Sequence, residues 1–164
     1  ASPLRFNMSH THGLVVLLIT GGAEVGVDVE DIERRTDVLA IAERFFSAVE
    51  VAGIHALAPE ERTRRFFDIW TLKEAYLKAC GLGISLPLSD ISFTLENGRA
   101  KIRFEGEPAG TDDRWAFYLW QPTPRHLAAI ATGVGDGAGP EFSLLPFCWR
   151  ERLPAAWPQS TTSM

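Results

Sequence analysis

The chain has 164 residues, enough for one ordinary domain or two very small lobes. Hydrophobic residues make up 46% and charged residues 23%, a balance typical of a soluble globular protein and not of a disordered chain. The net charge of −5 disfavours a general nucleic-acid binder, and the longest apolar run, residues 14–19, is too short for a membrane helix.

The two cysteines, Cys80 and Cys148, do not show the spacing of a metal site or of a redox motif. A disulfide scaffold and a structural zinc site are therefore disfavoured. This cysteine usage suits a reducing compartment, so we expect a cytoplasmic protein with no nucleic-acid or membrane partner.

Two apolar segments near the start of the chain predict a β-hairpin. Residues 14–20 and 23–29 flank a Gly21-Gly22 pair, and glycines are common in tight hairpin turns. Alternation along the second strand places Val25, Val27 and Val29 on one face and Gly26, Asp28 and Glu30 on the other.

Three helices are predicted, over residues 37–46, 47–57 and 60–80. Ser47 and Glu50 form a capping-box pattern that begins the second helix. Pro59 suits the first turn of the third helix, and Gly81 and Gly83 end it.

Four β segments follow, over residues 91–96, 100–105, 115–121 and 126–132, and Asn97-Gly98 joins the first two as a hairpin turn. The pattern predicts an α+β fold in which an antiparallel sheet packs against a long helix and shorter helices. We expect residues 1–132 to form one lobe and residues 133–164 to form an irregular tail packed on it. The apolar residues that would hold the tail include Phe142, Phe147, Trp149 and Trp157.

Three carboxylates and one lysine form a candidate chemical site. Asp28 and Glu30 lie two residues apart on a predicted strand, so both side chains leave by the same face, and Glu74 lies in the long helix. Oxygen donors from two rigid elements suit a hard divalent cation such as Mg²⁺. Lys78, one turn after Glu74, could clamp a phosphate or, if partly desolvated, accept a proton.

Each motif also has an ordinary structural explanation. A Glu–Lys pair four residues apart on a helix is usually a solvated stabilising pair, and Asp-x-Glu at a strand end is usually polar chain entering a loop. Glu50 has a structural role in the capping box, and His10 and His12 near Ser9 are typical of a loop. No single motif decides between the two kinds of explanation.

Five segments together match one known family in order, spacing and residue type. They are Ser9-His10, Val25-Gly-Val-Asp-Val-Glu30, Arg44-Phe-Phe-Ser-Ala-Val-Glu50, Trp70-Thr-Leu-Lys-Glu-Ala-Tyr-Leu-Lys-Ala-Cys-Gly-Leu-Gly83 and Leu86-Pro-Leu88. This pattern resembles the 4′-phosphopantetheinyl transferases, and in particular the C-terminal lobe of the large, two-lobe type. That type activates non-ribosomal peptide, polyketide and siderophore synthetases.

The resemblance implies an enzyme that moves the 4′-phosphopantetheine arm of coenzyme A onto a serine of an acyl or peptidyl carrier protein. The other product would be adenosine 3′,5′-bisphosphate. The implied metal is Mg²⁺, held by Asp28, Glu30 and Glu74, and Mn²⁺ suits the same oxygen ligands. The implied carrier-protein contact lies at residues 36–46.

The resemblance also implies roles for other residues. Lys78 would contact the α-phosphate of coenzyme A and help to deprotonate the carrier serine. Lys73 and His10 would add phosphate contacts, with Ser9 nearby. Glu50 matches a family acid discussed as a base or a water-holding group, and ranks below the metal ligands as a catalytic residue.

Two-lobe members bind coenzyme A between their lobes, and the first lobe holds the 3′-phosphate and part of the adenine. Because this chain resembles the second lobe alone, we expect a truncated chain that binds coenzyme A weakly. Self-association in place of the first lobe, as in small single-lobe members, is the alternative.

Two other functions stay open on the sequence. A non-catalytic lobe that binds a carrier protein would keep the fold and lose turnover. A Mg²⁺-dependent hydrolase of nucleotide diphosphates would be expected to carry more carboxylates along one helix. The intact set of three carboxylates and Lys78 favours the transferase.

Overall fold

The structure is a computed structural model, and it describes residues 4–81, 87–96, 98–105, 113–134 and 142–145. The elements in these residues are β1 (Leu4–Thr11), β2 (Leu14–Gly21), β3 (Val25–Asp31), α1 (Val38–Phe45), α2 (Ala48–Ala56), α3 (Pro59–Cys80), β4 (Ile91–Glu96), β5 (Arg99–Phe104), β6 (Trp115–Thr123) and β7 (His126–Gly133). A 3₁₀ turn, Leu88–Asp90, leads into β4. The mixture of helices and antiparallel strands confirms the predicted α+β fold.

All strand pairs are antiparallel and fall into three groups. β3, β7 and β6 form a sheet in that order, while β1 pairs with β2 and β4 pairs with β5. One face of the three-stranded sheet packs on α3, where Ala75 of the helix joins Ala129 and Ala131 of β7 in a buried cluster. The other face packs against β2, where Leu18 meets Val27 and Ile130. Small side chains between the sheet and α3 let the two come close together.

Gly26 lets β3 lie close to the backbone of α3. A Cβ atom at this position would lie 2.1 Å from the carbonyl oxygen of Ala75 and 2.4 Å from the backbone nitrogen of Ala79. Only a glycine therefore allows β3 to lie directly on the helix backbone. Asp28 and Glu30 share this face of β3, as the alternation predicted, and contact α3 through Lys78 and Trp70.

The predicted hairpin between residues 14–20 and 23–29 is wrong. β2 pairs with β1, with Met8 opposite Leu17, and β3 pairs with β7. The turn between β1 and β2 contains Gly13, whose φ of +84° favours glycine. The segment interpreted as a loop is therefore largely a strand, although His12 does lie in its turn. Polar residues at Arg5, Asn7 and Ser9 alternate with apolar ones along β1, a strand signal that the prediction missed.

β3 lies at the edge of its sheet, and side chains of β1 accept hydrogen bonds from two of its backbone N–H groups. The Asn7 Oδ1 atom accepts a hydrogen bond from the Val27 N–H at 2.9 Å. The Ser9 Oγ atom accepts one from the Val29 N–H at 3.2 Å. Backbone donors of a buried edge strand need such acceptors, so a neighbouring strand can dock here without forming a ladder.

The helix boundaries follow the predicted signals. Asp37 caps α1 by accepting a hydrogen bond from the Ala40 N–H, and the capping box of Ser47 and Glu50 begins α2. Pro59 begins α3, and Gly81 ends it with a φ of +65°. In the described part of the chain, no helix is long and apolar enough to cross a membrane.

Much of the predicted tail lies outside the described residues, and so do Gly83, Leu86 and Asn97. The predicted contacts of Phe147, Trp149 and Trp157 also fall outside them. Phe142 is described, and its ring packs edge-on against Tyr118 with 4.9 Å between ring centroids.

Substituting Gly26 by alanine should destabilise the fold, because the new methyl group would overlap the backbone of α3. Overpacking of this kind costs about 1–3 kcal/mol or more. Urea denaturation would measure the change in the free energy of unfolding. The matched control is Gly21→Ala, where nothing lies within 4 Å of the added atom. Equal stability of the two variants would contradict the close contact.

Candidate active site

The centre of the candidate site is a hydrogen-bonded triangle between β1, β3 and α3. The Lys78 Nζ atom lies 2.8 Å from Asp28 Oδ1 and 2.9 Å from Ser9 Oγ. The Ser9 hydroxyl donates to Asp28 Oδ1 at 3.0 Å. Asp28 and Ser9 are buried, whereas the Lys78 side chain is 30% exposed. Lys78 therefore pairs across to the strand and leaves its ammonium open to one side.

Glu30 lies two residues further along β3 and has two partners. Its Oε1 atom accepts a hydrogen bond from the Trp70 indole N–H at 2.8 Å, and its Oε2 atom lies 3.0 Å from an Arg34 guanidinium nitrogen. Burial, reinforced by the negative charge of Asp28, raises the pKa of the Glu30 carboxyl from 4.5 to about 7. The surroundings of Glu30 therefore disfavour its ionised form when no metal ion is bound.

Glu74 completes the group of three carboxylates from its position on α3. Burial and the charge of Asp28 raise the pKa of the Glu74 carboxyl, while the charge of Lys78 opposes them. Asp28 thus repels both other carboxylates, and the structure brings all three predicted metal ligands into one electrostatic neighbourhood.

The chemistry of this group fits a divalent cation. The Asp28 Oδ2 atom is buried without a hydrogen-bond partner, and the repulsion among the three acids would be relieved by positive charge. As the side chains lie, no three acidic, histidine or cysteine groups among the described residues converge tightly enough to hold an ion. Lys78 occupies Asp28 Oδ1 and Arg34 occupies Glu30 Oε2, so a cation would compete with them for these two oxygens but not for Asp28 Oδ2.

Glu50 and Lys73 form a separate, enclosed ion pair. The Lys73 Nζ atom lies 2.8 Å from Glu50 Oε2 and donates to the carbonyl oxygens of Leu88 and Ile91, each at 2.6 Å. Glu50 also accepts a hydrogen bond from the Phe93 N–H at 2.8 Å. Lys73 is fully buried, and burial lowers the pKa of its ammonium.

This pair joins α2, α3 and the start of β4, and all three Lys73 donors are occupied. Lys73 and Glu74 are adjacent in sequence but lie in different environments, because neighbouring positions on a helix point about 100° apart. The structure therefore does not bring Lys73 or Glu50 to the open side of the triangle. Their predicted roles in phosphate contact and catalysis stay predictions.

The structure places Ser9 and His10 on opposite faces of β1. Successive residues of a strand point to opposite faces, so Ser9 joins the triangle while His10 is exposed on the outer face of β1. A phosphate contact by His10 stays a prediction, and it would come from a different side of the strand.

The sequence interpretation missed three residues that shape the site. Asn7 holds β1 against β3, and Trp70 and Arg34 hold the two oxygens of Glu30. Trp70 could have been found by its spacing, since it precedes Glu74 by four residues and so lies on the same side of α3. Arg34 lies beyond the end of β3, so the alternation of the strand could not predict the direction of its side chain.

The chain belongs to the 4′-phosphopantetheinyl transferase superfamily, whose family model matches residues 24–131. It is 34% identical over 141 residues to the 4′-phosphopantetheinyl transferase HetI of Nostoc, a match that covers 86% of this chain and 56% of the relative. It is 36% identical over 99 residues to the transferase Sfp of Bacillus subtilis, with 60% and 43% covered. The chain thus spans about half the length of these curated relatives.

Two solved structures share the fold. The holo-[acyl-carrier-protein] synthase of Thermotoga maritima aligns with a TM-score of 0.54 at 24% identity, covering 67% of this chain and 62% of that one. An ACPS-CoA complex from Chronobacterium ammoniagenes aligns with a TM-score of 0.52 at 20% identity, covering 68% and 96%. The α+β lobe is therefore the fold expected from the family.

The raised pKa of Glu30 predicts how stability depends on pH in the metal-free protein. Between pH 4.5 and about 7 the folded state binds more protons at Glu30 than the unfolded state does. The contribution of Glu30 to the free energy of unfolding should therefore fall as the pH rises through this window, by about 3 kcal/mol. Chemical denaturation in a chelator at several pH values would measure it. Glu30→Gln should flatten the profile and exposed Glu96→Gln should not; a profile unchanged by Glu30→Gln would contradict the assignment.

The Lys73 contacts predict a large loss of stability in Lys73→Met. Removing one partner of a buried ion pair leaves the other uncompensated, which costs about 3–5 kcal/mol. Lys101→Met on the exposed side of β5 is the control and should change stability by less than about 0.5 kcal/mol. Adding Glu50→Gln to Lys73→Met should recover part of the loss. If Lys73→Met unfolds with the stability of the wild type, the enclosed pair is not structural.

Proposed function

We propose that this chain is a lobe of a 4′-phosphopantetheinyl transferase that moves the phosphopantetheine arm of coenzyme A to a serine of an acyl or peptidyl carrier protein. The observation that carries the proposal is the Ser9–Asp28–Lys78 triangle beside Glu30 and Glu74, within a chain of this superfamily. Coenzyme A as the donor is supported by the family and by the ACPS-CoA complex that shares the fold.

Mg²⁺ is the proposed metal, and Asp28, Glu30 and Glu74 are its proposed ligands. The support is the chemistry of the donors: three carboxylates that repel one another, and a buried Asp28 oxygen without a partner. A bound Mg²⁺ would offset negative charge on the pyrophosphate oxygens. A bound cation would also weaken the pairing of Lys78 with Asp28 and of Arg34 with Glu30, because positive charges would then share the same carboxylates.

Lys78 is the proposed phosphate contact. Its ammonium is the cation of the triangle and is partly open, so a movement away from Asp28 would present it to the α-phosphate of coenzyme A. Ser9 would keep its hydrogen bonds to the Asp28 carboxylate and the Val29 N–H, and so hold the metal ligand in place while Lys78 moves.

The proposed reaction is a displacement at phosphorus. The carrier serine oxygen bonds to the phosphorus that bears the pantetheine arm, and the bond from that phosphorus to the bridging oxygen breaks. Adenosine 3′,5′-bisphosphate leaves with the bridging oxygen, and the serine proton passes to a base. Serine is a weak nucleophile at neutral pH, so the base must lie near it. Glu74 as a carboxylate, or Lys78 in its neutral amine form, could accept the proton, whereas the Lys78 ammonium could only contact phosphate.

The carrier protein is proposed to contact residues 36–46, which include α1. This placement rests on the family resemblance. α1 packs on α3 through Ala42 and exposes Glu43 and Arg44, so polar groups of both signs are available to a partner. The same proposal includes a carrier protein that belongs to secondary-metabolite biosynthesis.

The chain spans only about half the length of the curated relatives it matches, and that fact favours a second candidate function. The lobe alone would bind a carrier protein without turning over, and would hold coenzyme A weakly because part of the binding cleft lies elsewhere.

The test is to incubate an apo carrier protein with coenzyme A and Mg²⁺ and to measure the intact mass of the carrier. The full-length Nostoc relative serves as the positive control for the carrier. A gain of one phosphopantetheine with this chain is the expected result, and Glu74→Gln should lower its rate by about 100-fold or more, since a metal ligand would be lost. The matched control is Glu61→Gln, an exposed glutamate on the same helix.

A gain with the Nostoc protein and none with this chain would overturn transfer by the lobe and leave the binding function. Carrier binding that is equal in the wild type and in Glu74→Gln would then support that second candidate.

A further inference from the structure

The turn between β6 and β7, residues 123–126, is bonded to two other strands of the fold. On one side, the Arg125 guanidinium donates to both carboxylate oxygens of Asp31 at the end of β3, at 2.9 and 2.5 Å. On the other side, the His126 Nε2 atom lies 2.8 Å from the carbonyl oxygen of His12, in the turn that follows β1. The β6–β7 turn therefore ties the end of β3 to the end of β1.

His126 is enclosed, and both of its ring nitrogens have partners. Its exposed fraction is 6%, and its ring lies against Gly13, where an added Cβ atom would be 3.8 Å from the imidazole. The His126 Nδ1 atom lies 2.7 Å from the Thr123 hydroxyl oxygen. The His12 carbonyl oxygen can only accept a hydrogen bond, so Nε2 must carry a proton and donate it.

Thr123 fixes the other nitrogen of the ring. The Thr123 Oγ1 atom accepts hydrogen bonds from the backbone N–H groups of Arg125 and His126, each at 3.2 Å. A hydroxyl oxygen has two acceptor lone pairs and one proton to donate. Because both lone pairs are occupied, the Thr123 proton points to Nδ1, and Nδ1 must be without a proton. The surroundings thus select the neutral imidazole with its proton on Nε2.

The position of Ser9 depends on how the end of β1 is held. Ser9 lies three residues before His12, about 10 Å along the strand. Its hydrogen bond from the Val29 N–H is 3.2 Å long, at the upper limit for such a bond, and its contact with Lys78 is 2.9 Å. A small shift of β1 along β3 would lose the first of these contacts and loosen the second. A two-stranded ribbon is marginally stable by itself, so its place on the sheet must be fixed from outside.

We propose that His126 is a positioning residue for Ser9, and that Thr123 acts with it by holding the imidazole in its Nε2-protonated form. His126 acts through the β1–β2 turn: its hydrogen bond fixes the turn, and the turn fixes where β1 lies on β3. The effect on phosphopantetheine transfer rests on the proposed function, whereas the effect on β1 does not.

The first test reads the tautomer of His126 in the wild-type protein. Long-range ¹⁵N–¹H NMR spectroscopy at about pH 8, where an ordinary imidazole is neutral, distinguishes the two ring nitrogens. The expected result is a protonated Nε2 and an unprotonated Nδ1. A ring protonated on Nδ1 would overturn the proposal, because it leaves the Thr123 hydroxyl proton without its acceptor. This measurement needs no variant, so it decides the point whether or not a substitution at His126 folds.

The second test compares His126→Met, which fills the space without a donor, with His126→Gln, whose amide N–H can replace that of Nε2. Hydrogen exchange of the Val29 amide, which bonds to Ser9, should be faster in His126→Met by about tenfold or more, since a buried carbonyl loses its donor and β1 opens locally. His126→Gln should stay close to the wild type. The Ala129 and Ala131 amides of β7, the central strand, are the reference and should not change in either variant.

Three outcomes of the exchange measurement would overturn the proposal. They are an unchanged Val29 amide in His126→Met, equal acceleration in His126→Met and His126→Gln, and acceleration of the β7 amides to the same degree as Val29. The last outcome would mean that His126 supports the whole sheet and does not position β1.

The carrier-mass assay then measures the effect on transfer. His126→Met should slow the transfer of phosphopantetheine by about fivefold or more, because a displaced Ser9 misplaces Lys78, and His126→Gln should restore most of the rate. If the wild-type chain transfers nothing, the proposed function fails, and the tautomer and exchange measurements still decide the role of His126. If His126→Met transfers at the wild-type rate although its Val29 amide exchanges faster, positioning for the reaction is overturned.

Discussion

The structure depends on the contact of β3 with the backbone of α3. Gly26 makes that contact possible, and the two residues that follow on the same face, Asp28 and Glu30, reach α3 as a result. A helix and a strand separated by ordinary side chains would place these carboxylates further from Lys78 and Glu74. The absence of one methyl group therefore determines whether the acids and the lysine can act together.

Lys73 and Lys78 of α3 lie five residues apart and have different environments. Lys73 is enclosed, uses all its donors and holds the start of β4, whereas Lys78 lies at a half-open position beside a buried acid. Desolvation makes the first a fixed part of the fold, and partial exposure leaves the second able to change partners. The same residue type is thus a fixed part of the fold at one position and a partly exposed group at the other.

The sequence was informative at several positions where a local rule governs the structure, although the alternation along β1 was missed. The capping box at Ser47, the αL glycine at Gly81 and the alternation along β3 were all predicted, because each depends on neighbours in the chain. The pairing of β2 was not, since a Gly-Gly pair suggests a turn but cannot reveal that β7, a hundred residues later, takes the place beside β3. The direction of Lys73 was also beyond the sequence, because only the tertiary fold brings Glu50 and two carbonyl oxygens to it.

The docking of β1 on β3 through side chains has a consequence for the integrity of the sheet. Asn7 and Ser9 occupy two backbone donors of β3 that another strand would otherwise pair with, so this buried edge keeps its hydrogen bonds within the chain. The Ser9 Oγ atom that accepts the hydrogen bond from β3 is therefore also the atom that bonds to Lys78 and Asp28. A replacement that lacks the hydroxyl would therefore leave the buried Val29 N–H without its acceptor and would also remove a contact of Lys78 and Asp28, so one atom links the stability of the sheet to the geometry of the site.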